Sequence, residues 1–212
     1  MKSLQPPTPH HISDTQALRK SIRRQRLALS AQTRRHAGLS VVRQIRREPQ
    51  FMNSRKIGLY LDAFGEVPTH ALIELCFQLR KTVYLPVVHL KNKPLAWAQI
   101  TRHQWLSQRM TRHRFGMKQP FKQRGVSVKS LDYLVMPLVA FDHQGHRLGM
   151  GGGFYDRTLA HCANSQEHRK LKPSKPIRVG LAYDFQRVDA IPSNDWDISI
   201  HAVLTPTEYR RF

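Results

Sequence analysis

The residues best suited to chemistry lie in Arg147-Leu-Gly-Met-Gly-Gly-Gly-Phe-Tyr-Asp156-Arg157, where four glycines fill five positions. Glycines at that density are not there to pack side chains. They permit positive φ angles and let a ligand approach the backbone closely. Between an apolar strand and a helix N-terminus, such a loop turns amide N–H groups toward an anion, and the helix dipole adds to the attraction. Arg147 and Arg157 flank it with positive charge, and Asp156 is placed to hold a divalent cation beside phosphates. The pattern predicts a phosphate or nucleotide site. It is not a Walker A loop, since Gly-x-x-x-x-Gly-Lys-[Ser/Thr] is absent. Nor is it a dinucleotide fingerprint, because the sixth position counted from Gly149 is Phe154.

A second candidate is Asp62-Ala-Phe-Gly-Glu66, a turn just after an apolar run. A carboxylate there stands at the carboxyl end of a strand, where α/β ligand sites form. The plainer reading of Glu66 is a solvated loop residue, and the plainer reading of Arg19, Arg23 and Arg26 is a solvated helix face. The 12 histidines include no His-Glu-x-x-His and no Cys/His pair at zinc spacing, and no Gly-x-Ser-x-Gly elbow occurs.

Elements must position these groups. Leu18, Ile22 and Leu29 follow helical spacing over Thr15–Leu29, and Ser30 is an N-cap for a second helix bearing Ala37, Val41 and Ile45. Strands are expected at Ile57–Leu61, Thr82–Val88, Leu95–Ile100, Leu131–Val139, Ile177–Ala182 and Ala202–Thr205, with helices from Thr69 to about Arg80 and from Phe154 to about Cys162. The unbroken apolar run Leu131–Val139 suits a strand buried on both faces. Strand–helix alternation predicts an α/β, three-layer Rossmann-like fold with a mainly parallel sheet. Residues 1–14 form a flexible lead, residues 15–212 a single domain, and Ser165–Pro176 a polar linker; the stretch up to Phe121 has no clear assignment.

Composition narrows the class. The 212 residues carry 35 Lys+Arg against 14 Asp+Glu, a net charge of +21, with 40% hydrophobic residues. That apolar share supports a core, and the charge predicts attraction to polyanions. Cys76 and Cys162 are too few for a disulfide scaffold, and no apolar run approaches bilayer length, so a soluble, cytoplasmic protein is expected.

The segment Met136-Pro-Leu-Val-Ala-Phe-Asp-His-Gln-Gly-His-Arg-Leu-Gly-Met-Gly-Gly-Gly-Phe-Tyr-Asp-Arg157 resembles the signature of the 5-formyltetrahydrofolate cyclo-ligase family. Arg19–Ser30, Phe64-Gly-Glu-Val-Pro-Thr69, Tyr84-Leu-Pro-Val87 and Trp196-Asp-Ile with Ala202-Val-Leu-Thr-Pro206 are similar to it as well. The resemblance implies an ATP- and Mg²⁺-dependent closure of 5-formyltetrahydrofolate to 5,10-methenyltetrahydrofolate, with ADP and phosphate released. It assigns ATP contacts to Arg19, Arg147, Leu148, Gly149, Met150, Gly151, Gly152, Gly153, Phe154 and Tyr155, of which Arg147 and Tyr155 are catalytic. Folate contacts fall to Leu61, Glu66 and the Met150–Phe154 loop, and a Mg²⁺ ligand to Asp156. Where some members carry a second metal-associated Asp, this chain has His201, with Asp197 as the nearby substitute. The implied partner is a folate, polyglutamylated or not, bound by a monomer. Other readings are a basic nucleic-acid-binding protein, or a sugar-phosphate or CoA-transferring enzyme on a similar scaffold.

Overall fold

Five strands lie parallel because their apolar residues must cover helices on both faces of one sheet. The computed structural model describes residues 9–88, 93–107, 110–112, 118–120, 125–160, 162, 175–194 and 196–212. The chain opens with α1 (Pro9–Ala28), α2 (Ala31–Ile45) and the short α3 (Pro49–Asn53). Next come β1 (Lys56–Gly58), α4 (His70–Gln78), β2 (Thr82–Val87), β3 (Ala96–Ile100) and α5 (Arg102–Leu106). Two small hairpins follow, β4 (Met110–Arg112) with β5 (Lys118–Pro120), and, after β6 (Tyr133–Pro137), β7 (Ala140–Phe141) with β8 (Arg147–Leu148). The chain ends with α6 (Phe154–Leu159), β9 (Ile177–Leu181), β10 (Ala202–Leu204) and β11 (Tyr209–Arg211).

The main sheet runs β11-β10-β9-β6-β1-β2-β3, antiparallel only at its two edge strands. Period-2 alternation sorts its side chains into two cores. Ile57, Tyr133, Val135, Val179 and Leu204 join one core with α2 and α4, while Leu134, Met136, Tyr84 and Val203 join the other with Trp97 and Leu159. At Gly58 a Cβ would sit 2.6 Å from Leu131, so glycine is what lets the second core close on the sheet. The expected strands all form, shorter by a residue or more, and the three-layer α/β architecture holds.

The helix starts differ in how they are secured. The Ser30 hydroxyl accepts from the Thr33 N–H at 3.0 Å, an N-cap that starts α2 cleanly. Thr69 precedes α4 but does not cap it; its N–H and hydroxyl both donate to Asp62 Oδ1, at 3.0 and 3.1 Å. That pair of bonds ties the turn after β1 to α4. Two boundaries differ from expectation. The first helix begins at Pro9, inside the expected lead, and α6 ends at Leu159 rather than near Cys162. Residues 165–174 of the predicted linker and much of the stretch before Phe121 lie outside the described residues. Cys76 and Cys162 are free and buried, and burial pushes the Cys76 thiol up to about 12. Among the described residues no helix is long and apolar enough to cross a membrane.

Candidate active site

The Arg19/Arg23/Arg26 stripe is not a solvated face. Arg19, Ile22 and Arg26 share one side of α1, and Ile22 and Arg26 are buried, Arg26 to 2% exposure. Arg19 Nε donates to Gly149 O at 2.9 Å and so grips the glycine loop. Arg26 donates to Leu138 O at 2.6 Å, just past β6, and its other terminal nitrogen stands 3.8 Å from Glu66 Oε1. Burial lowers the Arg26 pKa, and the Glu66 charge works against that. Arg23 lies outward over the Phe64 ring at 4.9 Å. Arg26 is the buried, engaged residue that the stripe reading missed, although it stands four residues after Ile22 on the apolar side.

Glu66 reaches α1 because Gly65 precedes it. Gly65 has φ +76°, and a Cβ there would lie 3.0 Å from the Arg26 backbone, so the turn abuts the helix only with glycine. The carboxylate is 11% exposed and accepts the Ala63 N–H at 3.0 Å. Burial pushes its pKa up to about 7; the Ala63 bond and Arg26 pull it down, and Asp62 adds to the rise. The Tyr60 hydroxyl is buried near this carboxylate with no hydrogen-bond partner among the described residues. Burial, then the charge of Glu66, holds the Tyr60 proton well above the ordinary phenol range. Tyr155 is held upward for the same two reasons, with Arg147 opposing. Leu61, half-buried, packs on the first core.

The glycine loop meets the same face of α1 seven residues earlier, at Arg19. Of its four glycines, Gly151 and Gly153 take positive φ, +92° and +61°. Gly153 is the left-handed N-cap of α6. The amides of Gly151, Gly152 and Gly153 have no partner among the described residues. A Cβ at Gly149 would touch nothing within 4 Å, and Gly151 faces only Arg19 at 3.9 Å, so this flank of the loop is open. Arg157 holds the loop's shape, donating to Gly152 O at 2.6 Å and lying over Phe154. With six residues, α6 is too short for a strong macrodipole, so an anion here relies on amides and guanidinium groups. Met150 and Leu27 line an adjoining trough of about 520 Å³ with Arg19, Lys20, Arg23 and Arg24.

Asp156, the residue expected to hold Mg²⁺, stands apart from Asp197 and His201. Asp156 Oδ1 accepts from Arg147 at 2.5 Å, with the Asp156 side chain 28% exposed and that of Arg147 buried. Its second oxygen has no partner among the described residues. Mg²⁺ is commonly held by one or two carboxylates together with substrate phosphates, so a single Asp beside a phosphate loop fits that donor set. No group of three acidic, His or Cys ligands occurs among the described residues. Asp197 and His201 do not join Asp156. Asp197 accepts from Asn194 within its own turn, and His201 Nδ1 accepts the Arg178 N–H at 2.9 Å at the amino end of β10, across the sheet from the loop. The β7–β8 hairpin between β6 and the loop was also unforeseen; it returns the chain so that Val139 N donates to Leu148 O.

The 5-formyltetrahydrofolate cyclo-ligase family model matches residues 11–206. The chain is 36% identical over 197 residues to the 5-formyltetrahydrofolate cyclo-ligase of Haemophilus influenzae, covering 89% of this chain and 96% of that protein. It is 35% identical over 190 residues to the protein of that name from Escherichia coli K12, covering 88% and 97%. The NMR structure of Aquifex aeolicus 5,10-methenyltetrahydrofolate synthetase superposes with a TM-score of 0.75 at 29% identity, covering 93% and 92%.

Proposed function

Because the chain belongs to the 5-formyltetrahydrofolate cyclo-ligase family, we propose that α1 joins an ATP seat at the glycine loop to a folate seat at Glu66. The enzyme is an ATP-dependent ligase that converts 5-formyltetrahydrofolate to 5,10-methenyltetrahydrofolate with release of ADP and phosphate. The observation that carries the site assignment is the double grip of one helix, Arg19 on Gly149 and Arg26 on Leu138 and Glu66.

Each residue's part follows from its chemistry. Unoccupied amides at Gly151–Gly153, with Arg19 and Arg147, receive the polyphosphate, and preorganised donors of that kind stabilise developing charge without reorganising. Ionised Glu66 accepts the N–H donors of the pterin edge, and Leu61 and Phe154 supply apolar contact. Tyr155, held as a phenol, remains a donor at neutral pH. Asp156 would hold Mg²⁺ through the oxygen that Arg147 leaves free. Bound Mg·ATP supplies the phosphoryl group that makes the formyl oxygen a leaving group, after which N10 closes the ring. The protein's task is alignment, since a misplacement of about 1 Å between the reacting atoms costs roughly a hundredfold. The Lys20, Arg23 and Arg24 side of the trough draws the folate's glutamate tail, and the enzyme works as a cytoplasmic monomer.

Formation of the methenyl product, followed by its absorbance, tests the reading. The purified chain should form it from 5-formyltetrahydrofolate only with ATP and Mg²⁺ present. Absence of product in a folded sample overturns the assignment.

A further inference from the structure

The reaction uses the carboxyl edge of the sheet, and the amino edge carries a surface that it does not need. Strand β1 opens at Lys56, directly after Arg55, and Arg80 stands two residues before β2, whose Thr82 is in register with Lys56. Helix α2 runs down to the same edge and ends at Arg46 and Arg47. Its successor Glu48 accepts from Arg211 at 2.8 Å, and Arg211 pairs with Ala202, the first residue of β10. Arg46, Arg47, Arg55, Lys56 and Arg80 therefore share one end of the molecule, and all five are exposed.

No carboxylate neutralises them among the described residues. The acids at this end are already engaged: Glu48 by Arg211, and Asp132 by Lys175 at 2.7 Å and by the backbone amides of Arg55 and Lys56. Lys81 is turned inward to the carbonyls of Phe51, Met52 and Ser54, so it is not part of the surface. The dipole of α2 favours Arg46 and Arg47 at its C-terminus and that of α4 favours Arg80, but neither reaches Arg55 or Lys56. Arg80 is the most telling. It follows the C-cap of α4 at φ +52°, a left-handed position that glycine fills without strain. The backbone there disfavours a side chain, and arginine stands there nonetheless.

We propose that this amino-edge surface binds the phosphodiester backbone of a nucleic-acid duplex without reading its sequence. Four of the five cations are arginines, whose planar forks match phosphate oxygens. The end of α2, α3 and the starts of β1 and β2 expose one large apolar residue, Met52 at 41%, and no aromatic ring. Unpaired strands are held chiefly by stacking on rings, and membrane surfaces by apolar insertion, so neither fits these elements as well as duplex phosphate does. The proposal does not rest on the cyclo-ligase assignment, since it concerns the opposite edge of the sheet.

The test is fluorescence anisotropy of a labelled RNA duplex of about 20 base pairs, and of DNA of the same sequence, titrated with the full chain. Contact with four phosphates predicts a log–log salt slope near about −3.6, hence roughly a hundredfold weaker binding between about 50 and 200 mM salt. The triple variant Arg46→Gln, Arg47→Gln, Arg80→Gly should lose roughly 2.7 of that slope. Its methenyl-forming activity and thermal midpoint should match or exceed those of the parent, which excludes misfolding as the cause. Either duplex bound with that slope and that loss supports the proposal. An unchanged slope in the variant overturns it, as does capture of the chain by phosphatidylserine vesicles when neither duplex binds.

Discussion

Arg19 and Arg26 sit seven residues apart on one face of α1 and reach different loops, Gly149 for the first and Leu138 with Glu66 for the second. Seven residues make two helical turns, about 10 Å of axis, so the helix sets the spacing between the two loops at which the nucleotide and folate seats are proposed. A rigid element thereby fixes the distance between two loops that belong to different parts of the chain.

Arg26→Lys keeps the charge but cannot reach Leu138 O and Glu66 together. Charged hydrogen bonds contribute about 1.5–3 kcal/mol, and a broken buried pair costs more, so a loss of about 2–4 kcal/mol is expected in urea unfolding. The folate KM should rise while ATP affinity holds. Equal loss of both affinities would mean that Arg26 supports the fold alone.

Glu66, whose pKa lies at about 7 against an ordinary 4.5, gives two opposed pH trends. The fold prefers its neutral form, so the contribution of Glu66 to stability is fully present below pH 4.5 and is lost as pH rises toward 7. The fall reaches roughly 3 kcal/mol, at about 1.4 kcal/mol for each pH unit crossed. Folate binding runs the other way, because only the ionised carboxylate accepts pterin N–H groups; its KM should climb about tenfold per pH unit as pH drops below 7. Glu66→Gln should flatten both profiles and leave ADP affinity intact. A variant with the parent's pH profile would remove Glu66 from the folate seat.

Tyr60→Phe deletes a buried hydroxyl that has no partner among the described residues. An unsatisfied buried polar group costs about 1–3 kcal/mol, so the ligand-free variant should melt higher than the parent. A lower melting point in calorimetry would show that the hydroxyl is bonded.

Asp156→Asn should impair use of Mg·ATP and leave the fold intact, with the magnesium concentration for half-maximal rate shifted upward. Asparagine keeps an oxygen that can accept from the buried Arg147 guanidinium and gives up only the charge of the pair, so a folded variant weakened by about 1–3 kcal/mol is expected. Wild-type activity throughout a magnesium titration would leave Asp156 merely the counter-ion of Arg147.

Lys20, Arg23 and Arg24 should attract polyglutamylated more than monoglutamylated folate. Such attraction is screened over a Debye length of about 10 Å at 0.1 M salt, so the KM for the longer tail should rise more steeply with salt. Parallel salt dependences would exclude the trough as the tail's seat.

Period and punctuation exposed most of this fold in the sequence. The doubly buried run at Leu131–Val139 and the turn signals around Gly65 and Gly149–Gly153 are local patterns, and local patterns survive without knowledge of the partner. Arg26 was illegible for the opposite reason. Nothing near it in sequence reveals Leu138 or Glu66, and an arginine on a basic helix reads as solvated by default. The same holds for the Arg147–Asp156 pair, where spacing suggested two ligand-binding groups and the structure shows each engaged by the other. His201 stands where some family members carry an Asp, and the chain order alone did not show that it lies at the amino end of β10, accepting from the Arg178 N–H.

The two carbonyls gripped by α1, those of Leu138 and Gly149, lie 112 and 130 residues further along the chain. At a synthesis rate of about 5–20 residues per second, Arg26 is made roughly 6–22 seconds before Leu138. The helix must wait through that interval with neither carbonyl that its arginines grip yet made. Assembly of the active centre is therefore among the last events of biogenesis, and a nascent chain stopped before Gly149 would possess a first helix but no enzyme.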